Sequence, residues 1–144
     1  MPETQKAGTG AKAQFLLHNG TSLYKLIGVK SIKMPVPERG EVDITDLESD
    51  AAEFAPDLPD YGEMTVTLNH RDGSDTDVLL AAASTDPNAR AFKIGVPIRS
   101  VLANQYTGNA ILKRYELPTL ENGAVQESTA VFRLTGPVTK AAWA

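Results

Sequence analysis

Apolar and polar residues alternate with a period of two along most of this chain, and each such run reads as a strand with one dry face and one wet face. In "GEVDIT", Val42 and Ile44 fall on one face and Glu41, Asp43 and Thr45 on the other. "GEMTVTLNH" repeats the pattern, with Met64, Val66 and Leu68 opposite Glu63, Thr65, Thr67 and Asn69. "AFKIGVPI" groups Phe92, Ile94, Val96 and Ile98, and "AVQESTAVFRLTG" groups Ala130, Phe132 and Leu134. "NQYTGNAILKRYEL" is a long strand, while "AQFLL" and "LYKLIGVKSIKM" form a hairpin around Asn19-Gly20. Asn122-Gly123 marks a further turn between the last two strands.

One segment has helical character. In "SDTDVLLAAAST", Ser74 can cap, Asp77 falls at the capping-box position, and Asp86-Pro87 ends the run. About seven strands and one helix predict a mainly β single domain over residues 1–144, a β-sandwich or barrel with the helix on its flank. The segment from Asp46 to Gly62 fits neither pattern. It is acidic and proline-bearing, yet contains Leu47, Phe54, Leu58 and Tyr61. A loop longer than about 12–15 residues is uncommon in a compact domain unless it has a function of its own.

Charge sharpens that contrast. The chain of 144 residues has a formal net charge of −4. Ten acidic residues and one basic residue lie between Glu38 and Glu63, giving −9, so the rest carries +5. No clustered basic face of the nucleic-acid-binding kind is present. The chain has no cysteine, hence no disulfide or thiolate metal site. No run approaches the ~18 apolar residues of a membrane span, and the N-terminus lacks the apolar core of a signal peptide. Residues 1–12, polar and glycine-bearing, are expected to be a flexible arm.

The residues that carry chemistry elsewhere are sparse. His18 and His70 each adjoin a turn or strand end without a second ligand at a recognised spacing, so both are read as surface or structural residues. "DGSDTD" lacks the glycine and closing glutamate of a calcium loop and fits a helix start better. "GTGAK" is too short for a phosphate loop, and Asn19-Gly20-Thr21 is a turn before it is a glycosylation acceptor. No serine sits in a nucleophile elbow. The reading is a protein that is not an enzyme, with no catalytic residue, no metal ligand and no cofactor.

The stretches "LIGVKSIKMPVPERGEVDITDLES", "LPDYGEMTVTLN" and "STAVFRLTGPVT", in that order around the helix, are similar to the tail tube proteins of long non-contractile, lambda-like siphophage tails and of gene transfer agents. The likeness runs from about Leu23 to Thr139. It implies a β-sandwich that assembles into hexameric rings stacked as a tube through which DNA leaves the capsid. On that resemblance Asp46–Gly62 is an inter-subunit loop. Leu47, Phe54, Leu58 and Tyr61 bury on a neighbour, among the carboxylates of Asp46, Glu48, Asp50 and Glu53. Glu41, Asp43 and Glu63 become candidates for the lumen wall, which DNA passes without specific binding. The expected partners are further copies of the chain, with tail terminator, distal tail and tape-measure proteins. The expected location is the virion tail, after synthesis in the bacterial cytoplasm, with no membrane. A terminator or connector ring protein and a monomeric β-sandwich binding module are the alternatives. Tubes of contractile tails and secretion systems have related folds and remain open.

Overall fold

The structure is a computed structural model that describes residues 12–99 and 101–144. The expected arm, apart from Lys12, lies outside the described residues. The element order is β1 (Gln14–His18), β2 (Leu23–Lys25), β3 (Val29–Lys33), β4 (Glu38–Asp43), β5 (Phe54–Asp60), β6 (Glu63–Asn69), α1 (Asp75–Thr85), β7 (Arg90–Ile98), β8 (Val101–Glu116) and β9 (Glu127–Ala142). Seven strands form one antiparallel sheet, ordered β2-β1-β7-β8-β9-β6-β3, while β4 and β5 pair only with each other.

The large sheet cannot be flat. Its two edge strands, β2 and β3, are joined by Leu26 to Gly28 alone. Such a link spans at most ~14 Å, whereas six strand spacings in a flat sheet amount to ~29 Å. The sheet therefore curls over until its halves face each other, as a sandwich. Phe15 on β1 meets Phe132 on β9 with ring centroids 5.3 Å apart, although two strands lie between them in the sheet. The core between the halves takes Phe15 and Leu17 from β1, Met64, Val66 and Leu68 from β6, Phe92 and Ile94 from β7, and Phe132 from β9. The dry faces expected for β6, β7 and β9 are thus the core, except that Ile98 at the end of β7 is exposed.

Helix α1 contributes Leu79, Leu80 and Ala83 to that core. Its N-terminus is capped as the sequence implies, with the Asp77 amide donating to Ser74 Oγ at 3.2 Å. Asp77 Oδ2 in turn accepts from the amide of Gly73, one residue before the cap. The fold is mainly β with one flanking helix. None of the described helices is long and apolar enough to cross a membrane.

Three expectations are corrected. The run "LYKLIGVKSIKM" is two strands, not one: Gly28 takes φ +81°, which glycine adopts without steric cost, and β2 and β3 go to opposite edges of the sheet. Strand β9 does not stop at Gly136 but continues to Ala142. Pro137 cannot donate to the ladder, so the register with β8 shifts there, from Thr107↔Thr139 to Asn109↔Thr135, and the hairpin bends. The third correction concerns the acidic segment. It contains a strand of its own, β5, which together with the split of the second run makes nine strands among the described residues in place of the seven expected.

Candidate assembly surface

Strands β4 and β5 form a two-stranded ribbon that leaves the sandwich between β3 and β6. Proline made β5, "FAPDLPD", unreadable as a strand, because a proline in a central strand would break the ladder. In a two-stranded ribbon each strand is an edge, and Pro56 and Pro59 are tolerated opposite Glu41 and Arg39. Every residue of β4 is exposed, and Ala55 is the one partly covered residue of β5.

The expected dry face of β4 is therefore wet. Val42 and Ile44 are about half exposed because no layer lies against them. Register shows how apolar groups are distributed. Asp43 pairs with Phe54 and Glu41 with Pro56, so these share one face; Val42 pairs with Ala55 on the other. Each face thus holds apolar side chains beside carboxylates. Leu47 at the tip is 106% exposed, Leu58 85% and Phe54 55%.

The ribbon is ordered locally without any core. At the tip the Glu48 amide donates to Asp46 Oδ1 at 2.9 Å, and Ser49 Oγ bonds both Asp46 Oδ1 and Glu53 Oε2. Thr45 and Glu53 close the ribbon, the Glu53 amide donating to Thr45 Oγ1 at 2.7 Å. Asp46 and Glu53 therefore shape the turn, whereas Leu47, Glu48 and Asp50 project from it. The amide of Thr45 donates to Asp43 and holds its carboxyl below the usual range. At the base the amide of Gly62 and the Arg133 guanidinium, 2.9 Å away, do the same for Asp60.

Tyr61 does not belong with this exposed set. It is partly buried and packs against the sandwich core. The three lumen candidates are also divided. Glu41 and Asp43 stand on the ribbon, whereas Glu63 stands on β6, where Lys113 at 2.7 Å bonds its carboxylate and lowers its pKa.

A second polar cluster escaped the sequence. His70, at the end of β6, lies with Nε2 3.4 Å from Asp72 Oδ1 and Nδ1 3.9 Å from Asp77 Oδ1. The three are close enough to hold a metal ion, so His70 does have neighbouring ligand types. Residue spacing could not show it, because the turn after β6 folds the helix start back onto the strand end. Tyr115 from β8 donates to Asp77 Oδ1 at 2.7 Å, and burial together with that carboxylate pushes the phenol up to about 12. Burial pushes Asp77 up, but the Tyr115 hydroxyl, the Gly73 amide and nearby His70 outweigh it and hold the carboxyl below its ordinary range. Hydrogen bonds within the subunit thus account for Asp77.

No protein-family model and no curated protein sequence matches the chain. Solved structures do resemble it. A chain of the native gene transfer agent virion aligns at a TM-score of 0.71 and 15% identity, covering 94% of this chain and 99% of that one. A chain of the SPP1 tail tube aligns at 0.68 and 13% identity, over 94% and 79%. A chain from the extended-state sheath/tube terminator of the extracellular contractile injection system PVC aligns at 0.74 and 10% identity, over 96% and 99%. The chain therefore has the fold seen in these tail and tube assemblies, as the sequence resemblance implied.

Proposed function

We propose that this chain is the structural subunit of a tail tube, assembling into hexameric rings that stack around a channel for DNA. The observation that carries the reading is the ribbon, which leaves apolar side chains uncovered on both faces although the chain's own core is complete without them. A two-stranded hairpin is marginal in water by itself. Burying Phe54, Leu47 or Leu58 on a neighbour contributes roughly 1.5–3 kcal/mol each, which favours association over a free monomer. The whole-length likeness to chains of tail and tube assemblies supports the same reading. Of the three wall candidates, Glu41 and Asp43 share the face of Phe54 and go with it into the contact, which leaves Glu63, paired with Lys113, as the proposed wall residue facing a duplex that carries one charge per ≈ 1.7 Å.

A single terminating ring is the second reading, favoured by the likeness to a chain from a sheath/tube terminator and to one from a tube-terminating cap. Negative-stain microscopy of the purified chain separates the two, as long tubes or isolated rings. Replacing residues 41–58 by a short glycine-serine turn should leave a folded subunit that forms neither. Tubes of normal length from that shortened chain would refute the ribbon as connector.

A further inference from the structure

A ribbon that docks needs a seat, and we infer that a second copy of this chain supplies it at the cationic groove beside the start of β1. This rests on the tube-subunit reading and adds the address of the contact. The groove, about 500 Å³, is lined by Lys12, Gln14, Lys25, Val101, Leu102 and Trp143. Its floor is apolar and uncovered, Val101 being 70% exposed. Its rim is cationic. That combination complements a strand pair whose exposed side chains are Leu58 and Phe54 set among carboxylates.

Charge is segregated along the chain in the same sense. Residues 12–37, 87–115 and 128–144 contain no Asp or Glu, and they build β1, β2, β3, β7, nearly all of β8 and nearly all of β9. Lys30, Arg90, Lys113, Arg114 and Arg133 each pair with a carboxylate of their own subunit. Among the described residues Lys12, Lys25, Lys33, Arg39, Arg71, Arg99 and Lys140 form no ion pair with an Asp or Glu side chain. The basic groups left over thus include the two that line the groove, and the acidic groups left over include most of those on the ribbon.

The groove is also built rigidly. The amide of Trp143 donates to the Ala103 carbonyl at 3.0 Å. Its ring lies against Gly95, where a Cβ would sit 2.8 Å from the ring, so only glycine leaves room for it. The Lys93 ammonium sits over the same ring, 4.2 Å from its centroid. Arg99, in the turn after β7, has φ +54°. Glycine or asparagine suits that backbone better, so the turn itself does not call for arginine. Arg99 adds positive charge two residues before Val101 in the chain, without lining the groove itself.

The test uses the full-length chain. Lys12 and Lys25 are exposed and lack partners, so Lys12→Glu with Lys25→Glu leaves the subunit folded, as circular dichroism should show. The critical concentration for tube growth should rise about tenfold at low salt and less at high salt, where screening weakens the pair. Adding Glu41→Lys and Asp43→Lys, on the face of Phe54, to the same chain should restore growth. An unchanged critical concentration in the lysine variant overturns the groove as the seat. If the ribbon-shortened chain still forms no tube, the tube-subunit reading survives that result. Contact is read separately, since the chain has no cysteine of its own. Leu58→Cys chains mixed with Val101→Cys chains and joined by a short bismaleimide should give cross-linked dimers in tubes, and Leu58→Cys with Val125→Cys should not. Equal yields from the two mixtures overturn the proposal. So does a cross-link from Val101→Cys to a cysteine placed at Ala7 of the same chain that replaces the Leu58 product, because the N-terminal segment then fills the groove.

Discussion

Strands β6 and β4 carry the same alternation of apolar and polar residues and end in opposite states. Met64 and Val66 on β6 are wholly buried, while Val42 on β4 is 47% exposed. The difference lies in their neighbours. β6 is hydrogen-bonded between β3 and β9, where Phe132 stands beside Met64, and the curled sheet brings Phe15 of the other half into the same core. β4 has β5 on one side and solvent on the other. An amphipathic strand becomes stable when a second layer covers it, and in the sandwich that layer is internal. For the ribbon there is no internal layer, and on the proposed tube-subunit reading another copy of the chain supplies it.

Four changes test that contrast, in order of their effect on the isolated subunit. Phe132→Ala removes a wholly buried ring that packs on Phe15, and should cost about 3–5 kcal/mol in chemical denaturation. Loss of less than about 1 kcal/mol would show that the two halves of the sandwich are not held by this contact. Ser74→Ala deletes the cap that accepts from Asp77 and should cost about 1 kcal/mol.

Next in size is the acid limb of stability. The Asp77 carboxyl is held below its ordinary pKa, so it binds fewer protons folded than unfolded. Its contribution is therefore present above the unfolded carboxylate pKa and is lost as pH falls through the depressed folded value. Asp77→Asn should flatten the decline in melting temperature below about pH 4, near the ordinary carboxylate pKa. An unaltered acid slope would rule out this residue as its source.

The smallest effect should come from the ribbon. Leu47→Ser, Phe54→Ser and Leu58→Ser together should change subunit stability by less than about 0.5 kcal/mol, as exposed positions do, and yet abolish tubes. Tyr61 is left out of that set because it packs on the core. Amides of residues 44–58 should exchange quickly in the free subunit and slowly after assembly. Equal protection in both states would mean that the ribbon finds no partner.

Most of the core was legible because period-two burial is a local property. Phe92, Ile94, Phe132, Met64 and Val66 could be assigned to a dry face from their spacing, and Ser74 to a cap from Asp77 three positions later. The acidic segment was legible as an anomaly, through apolar residues where a solvated loop has no use for them. Its strand β5 was not legible, since two prolines argue against a strand unless both strands are known to be edges. The cluster of His70 with Asp72, Asp77 and Tyr115 was hidden for another reason. Tyr115 reaches Asp77 across 38 residues of sequence, and no spacing rule covers such a distance.

Local patterning alone sets which runs become strands with one apolar face, where the helix begins, and that negative charge collects in one segment. Tertiary structure alone decided which apolar faces would be covered. It sent β2 and β3 to opposite edges of a sheet curled enough for three residues to join them, carried β9 through Gly136 and Pro137, and left β4 and β5 outside the sandwich. The reason is physical: alternation is fixed by the geometry of one strand, but burial requires a second surface, and which surface arrives is settled by residues far away in the chain.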